Sequence, residues 1–76
     1  MTKEQMIFKN IKHRVYKSHG KWGITAWSLT RAIREAGYDI YEANEIKERM
    51  VKNGYIRLSK TQFNKGLYYI IEKWVN

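Results

Sequence analysis

The sequence predicts a mainly α fold with a small β-hairpin, an α+β class, in one domain spanning residues 1–76. Three observations predict it. Apolar residues recur at helical spacing in three separate stretches. Glycines at Gly20, Gly37 and Gly54 punctuate those stretches. After Gly54, two short runs rich in β-branched and aromatic residues flank the polar stretch KTQFNKG.

The first helix is expected over 3–18. Thr2 with Gln5 forms a capping box, each side chain meeting an orphan backbone N–H. Phe8, Ile11 and Val15 then line a buried face, with Ile7 at its edge, and Ser18-His19-Gly20 ends the helix. Lys21-Trp22-Gly23-Ile24 reads as a short strand. In an extended segment Trp22 and Ile24 share a face.

Thr25 is an N-cap for a second helix over 26–36, whose stripe is Ala26, Leu29, Ala32, Ile33 and Ala36. Gly37 suits the left-handed residue beyond it. Asp39 and Glu42 make a second capping box, with Tyr38 and Ala43 in the staple positions. The third helix buries Ala43, Ile46 and Met50, keeps Val51 at its edge and stops at Asn53-Gly54. Strands follow over 55–59 and 67–71, and Asn64-Lys65-Gly66 supplies the turn. Trp74 is expected to pack back on the first helix.

Composition narrows the function. A domain of 76 residues buries only roughly 60% of the surface its unfolded chain exposes. Its eleven aromatic residues supply core area that a chain without Cys cannot replace with disulfides. The N-terminal stretch carries charges inside every apolar run, which excludes a signal peptide or membrane span there. The expected location is intracellular: cytoplasm, nucleoid or a host cell. No Ser-His-Asp set, paired carboxylates or phosphate-cradling loop can be assembled, so no enzyme activity and no cofactor are expected. His13 and His19 stand without Cys or carboxylates at ligand spacing, so no metal site is expected.

The formal net charge is +8. Such an excess attracts polyanions, nucleic acid foremost, although a Lys-rich surface also serves solubility. Residues 1–25 carry six Lys/Arg and one Glu, residues 26–54 five of each sign, and residues 55–76 four Lys/Arg and one Glu. The positive charge therefore flanks the two central helices.

The order of elements TAWSLTRAIREAG, YDIYEANEIKERMVKNGYI and RLSKTQFNKGLYYII resembles the winged helix-turn-helix superfamily of transcription and replication proteins. Around Gly37, residues Ala32, Ala36, Tyr38, Ala43 and Ile46 fall on the family's apolar offsets. Ile33 departs, since a small residue is usual there; a wider helix crossing or a longer turn would accommodate it. The small size and Lys/Tyr-rich composition resemble proteins encoded by viruses, phages or plasmids. The resemblance implies a three-helix winged fold and a partner of double-stranded DNA, in transcriptional regulation or as a replication accessory factor. It also implies a short strand at 21–24 pairing with the wing, and in many members a homodimer, here through the first helix or the region of Trp74.

The resemblance further implies which residues meet DNA. The third helix would read bases through Tyr41 and Asn44, with Lys47 reaching phosphate. Against this, Glu42, Glu45 and Glu48 form an acidic stripe, which also reads as a solvated face held by pairs such as Glu48 with Lys52. Arg31 and Arg34 of the second helix would meet the backbone, or else pair with Glu35. The wing offers Arg57, Lys60, Gln62, Asn64 and Lys65. Phe63 beside them either folds back on the hairpin or anchors a protein partner. Lys9, Lys12, Lys17 and Lys21 would add phosphate contacts without sequence information. Trp27 lies off the apolar stripe and is the tryptophan suited to an interface. The alternative function is a protein-binding winged-helix module, such as a virus-encoded inhibitor of a host enzyme or nucleoprotein. RNA binding by the same basic surface is a third.

Overall fold

A computed structural model describes residues 2–18, 20–60 and 67–75. Along the chain it contains α1 (Lys3–Ile11), β1 (Tyr16–Ser18), β2 (Lys21–Thr25), α2 (Ala26–Glu35), α3 (Ile40–Lys52), β3 (Ile56–Lys60) and β4 (Leu67–Ile71). The class is α+β: among the described residues, three helices pack with one antiparallel sheet of order β1-β2-β4-β3. No helix among these residues is long and apolar enough to cross a membrane.

The local chemistry of the caps places the helices. Gln5 N–H donates to Thr2 Oγ1 at 3.1 Å, and Thr2 N–H donates to Gln5 Oε1 at 2.7 Å. Glu42 N–H donates to Asp39 Oδ1 at 2.8 Å, with Glu42 Oε1 accepting from Asp39 N–H at 3.2 Å. Thr25 Oγ1 accepts from Ser28 N–H at 3.2 Å. Four residues, 36–39, link α2 to α3, one more than the shortest such turns. Gly37 stands at φ 104°, where a Cβ would be strained.

The first helix is shorter than expected, with 9 residues. It stops at Ile11, and residues 16–18 form a strand that pairs Tyr16 with Gly23, Lys17 with Trp22 and Ser18 with Lys21. The spacing from Ile11 to Val15 suits a helix, but Val15 and Tyr16 are also strand formers, and pairing with β2 decides the outcome. The Tyr16 ring then meets Tyr68 at 6.4 Å across the sheet's outer face. Gly23 lies beneath Tyr68, whose ring a Cβ would approach to 3.3 Å. Ile7, expected at the edge of the core, is 1% exposed and fully part of it.

Ile7, Phe8 and Ile11 of α1, Leu29, Ala32 and Ile33 of α2, and Ala43, Ile46 and Met50 of α3 close on Ile24, Ile56 and Ile71 of the sheet. Phe8 is central, meeting Tyr55 edge-on at 5.9 Å and Trp74 at 6.0 Å. Asn10 Nδ2 donates to the Ala32 carbonyl at 3.1 Å, which fixes α1 against α2.

The register gives the sheet two distinct ends. Thr25 pairs with Tyr68 and Lys60 with Leu67. The start of α2 therefore lies at the end where β3 stops and β4 begins. The β1–β2 turn lies at the opposite end, since Ser18 pairs with Lys21 and Gly23 with Ile70. There Arg57 Nε donates to Glu72 Oε1 at 2.6 Å.

That hydrogen bond is the first cause holding the Glu72 carboxyl below its ordinary value of 4.5, opposed by desolvation and aided by the charges of Arg57 and Lys21. A depressed carboxyl favours the fold above the unfolded value, and the gain disappears as pH falls through the folded one. Glu72→Gln is therefore expected to lower the melting temperature slightly near neutrality and not at all in strong acid. Paired thermal melts across the acid range check this.

Candidate nucleic-acid interface

Two shallow grooves lie on the exposed side of α2 and α3, linked by one hydrogen bond. The first, about 460 Å3, runs along α2 and reaches the start of α3, between Trp27, Thr30, Arg31, Arg34, Glu35, Tyr38 and Ile40. The helical repeat explains the set: with Leu29, Ala32 and Ile33 buried, residues 27, 30, 31 and 34 fall on the opposite side. The second, about 370 Å3, lies between α3 and the sheet and is lined by Asn44, Lys47, Glu48, Val51, Leu58 and Tyr69.

Lys47 joins the two grooves. Its Nζ donates to Thr30 Oγ1 at 2.9 Å, and that hydroxyl in turn donates to the Ala26 carbonyl at 3.0 Å. Lys47 is thus half-buried and not free in solvent as the helical pattern implied, and burial lowers its pKa. Burial first, and then the negative charge of Glu48, raise the Tyr69 phenol above its ordinary value. The phenol therefore keeps its proton as a donor at neutral pH.

Arg31, Arg34, Asn44 and Lys47 are brought together along this surface. Arg31 lies over the Trp27 ring, 5.3 Å from its centroid, and 3.8 Å from Glu35. Glu35 is held more closely by Arg14, at 2.6 Å. Among the described residues Arg34 has no carboxylate at ion-pair distance. Tyr41 projects from the first turn of α3 with 79% of its surface exposed.

The acidic stripe is divided by the helix it sits on. Glu42 is engaged in the cap of α3, and Glu42 and Glu45 line a separate cleft with Lys3, Arg49 and Tyr55, on the α1 side. Glu48 alone borders the groove with Asn44 and Lys47. The ion pairs among the described residues are those of Arg14, Arg31 and Arg57, so the expected pairing of Glu48 with Lys52 is not formed.

Other expected contacts lie elsewhere. Arg57 is engaged by Glu72 at the far end of the sheet. Lys17 and Lys21 stand on the β1–β2 hairpin at that same end, with Lys17 Nζ 5.7 Å from the centroid of Trp22. Lys17 does not belong to a long first helix, Lys21 lies on the expected strand, and neither joins the α2–α3 face. Lys9, in the last turn of α1, and Lys12, its C-cap, are exposed. Lys60 ends β3 close to the start of α2. Gln62, Asn64, Lys65, Phe63 and His19 lie outside the described residues.

Leu58 and Tyr69 were missed as members of this surface, whereas Thr30 and Ser28 stand out beside Arg31 and Arg34 near the start of the second helix. Period two places Leu58 with Ile56, and the hairpin register sets it opposite Tyr69, so these two carried a usable signal. The contact of Thr30 with Lys47 carried none, because the two residues are on different helices. No protein-family model, curated protein or solved structure matches the chain.

Proposed function

We propose that the chain is a winged helix-turn-helix module that binds double-stranded DNA. The observation that carries this reading is the pair of grooves on α2 and α3, one lined by Arg31 and Arg34 and the other by Asn44 and Lys47, linked by the hydrogen bond from Lys47 to Thr30. Support also comes from the four-residue helix–helix link and from Lys60, which ends β3 near the start of α2. The arginines hold phosphates, Lys47 is positioned by Thr30, and Asn44 and Tyr41 face the bases. Regulation of transcription or support of replication is the corresponding role.

Asn44 matches the donor–acceptor pair on the adenine edge. Asn44→Ala is therefore expected to cost about 1–3 kcal/mol on the preferred site and to relax base preference at one position. Affinity for unrelated sequences should change much less. Selection from a randomised duplex pool, before and after the substitution, measures both. A preference that survives the change would remove α3 as the reader.

Duplex binding itself is tested by a salt titration. Each neutralised phosphate contributes a log–log slope of about −0.9. A steep linear fall supports the reading, and absence of duplex binding at low salt sinks it.

One observation favours a second reading, as a protein-binding module. Lys17, Lys21 and the 41% exposed Trp22 lie at the end of the sheet away from β3's last residue. An acidic protein surface would use them where a duplex on the α2–α3 face would not.

A further inference from the structure

We infer that the groove between Trp27 and Ile40 takes an unpaired nucleobase, so that the preferred ligand is a DNA duplex carrying a single-stranded tail. The inference rests on the DNA-binding reading above and names the class of DNA.

Trp27 is 68% exposed and Ile40 48% exposed, although both belong to helices whose opposite faces fill the core. Leaving an indole in water forgoes the large burial that makes tryptophan useful in so small a domain. A duplex offers such a ring little, because its bases are stacked on one another and present only their edges and backbone. An unpaired base offers a free π-face.

The surroundings suit a nucleotide. Arg31 lies over the Trp27 ring, and Arg34 lines the same groove. Glu35 also lines it, 3.8 Å from Arg31, which offsets its charge. A stacking ring beside guanidinium groups is the combination by which single strands are held without sequence readout. At about 460 Å3 the groove falls within the size range of small-ligand sites, roughly 300–1,000 Å3. Thr30 of this groove is hydrogen-bonded to Lys47 of the Asn44 groove, so a tail leaving a duplex bound at Asn44 has this groove as its neighbour.

The test compares a blunt duplex with the same duplex bearing a short single-stranded tail, by fluorescence anisotropy at one salt concentration. Stacking of one base is expected to make the tailed duplex bind roughly tenfold more tightly. A tail of abasic sites, which adds phosphates but no bases, should give little of that gain. Trp27→Ala should bring the tailed-to-blunt ratio close to one, while Trp27→Phe retains part of it. Equal binding of blunt and tailed duplexes overturns the inference and leaves the duplex reading standing. So does an abasic tail as effective as a normal one, or a ratio unmoved by Trp27→Ala. Failure of even the blunt duplex to bind defeats both.

Discussion

Replacing Arg31 and Arg34 together with glutamate is expected to weaken binding to duplex DNA of any sequence by roughly a hundredfold at low salt. Both side chains line the groove beside Thr30. In the proposed DNA-binding mode, reversing them removes two phosphate contacts and puts two negative charges in their place. The salt slope should therefore become shallower by about two phosphate contacts, each worth roughly −0.9. The same reversal at Lys17 and Lys21, at the other end of the sheet, should leave the slope nearly unchanged. Titrations at several salt concentrations separate the two variants. An equal loss from both would mean that net charge, and not this face, governs binding. Arg31 also meets Glu35 and the Trp27 ring, so thermal melts should accompany the titrations. Exposed ion pairs of this kind contribute little, and the melts are expected to shift only slightly.

Phe8→Ala is expected to have the largest effect on stability. The ring is fully buried and meets Tyr55 and Trp74 edge-on. Truncating a buried phenylalanine costs about 3–5 kcal/mol, from lost transfer energy and from the cavity left behind. Domains hold only about 5–15 kcal/mol in total, and small ones sit at the low end. For a chain of this size about 1 kcal/mol moves the melting temperature by roughly 4–8 °C. A fall of at least about 12 °C is therefore expected in a far-UV circular dichroism melt. A shift below about 5 °C would show that α1 does not pack on this core.

Much of the helical framework was legible because its signals are local. Thr2 with Gln5, Asp39 with Glu42, and Gly37 at a left-handed position each act within a few residues. Apolar spacing then fixed which side of α2 and α3 turns inward. The segment 12–18 was not legible, because helix and strand both satisfy its local pattern. The choice falls to the pairing with β2 and the contact of Tyr16 with Tyr68.

The candidate interface was legible in the same uneven way. Arg31, Arg34 and Asn44 could be placed on exposed sides of their own helices. Lys47 needed the hydroxyl of Thr30, and Arg57 needed Glu72. Those pairings arise from helix packing and strand register, which no short window of sequence contains. The acidic stripe shows the converse limit. Three glutamates at spacing i, i+3, i+6 suggested one negative surface, but successive members rotate around α3. Glu42, also engaged in the cap, and Glu45 end in one cleft, and Glu48 in the groove beside Asn44.

The proposal that the α2–α3 face holds duplex DNA is tested most directly by titrating isotope-labelled protein with a short duplex and following each amide by NMR. The largest shifts are expected at Arg31, Arg34, Asn44 and Lys47, with Lys17, Lys21 and Trp22 nearly still. Shifts concentrated on the β1–β2 hairpin, with the α2–α3 face unmoved, would contradict it.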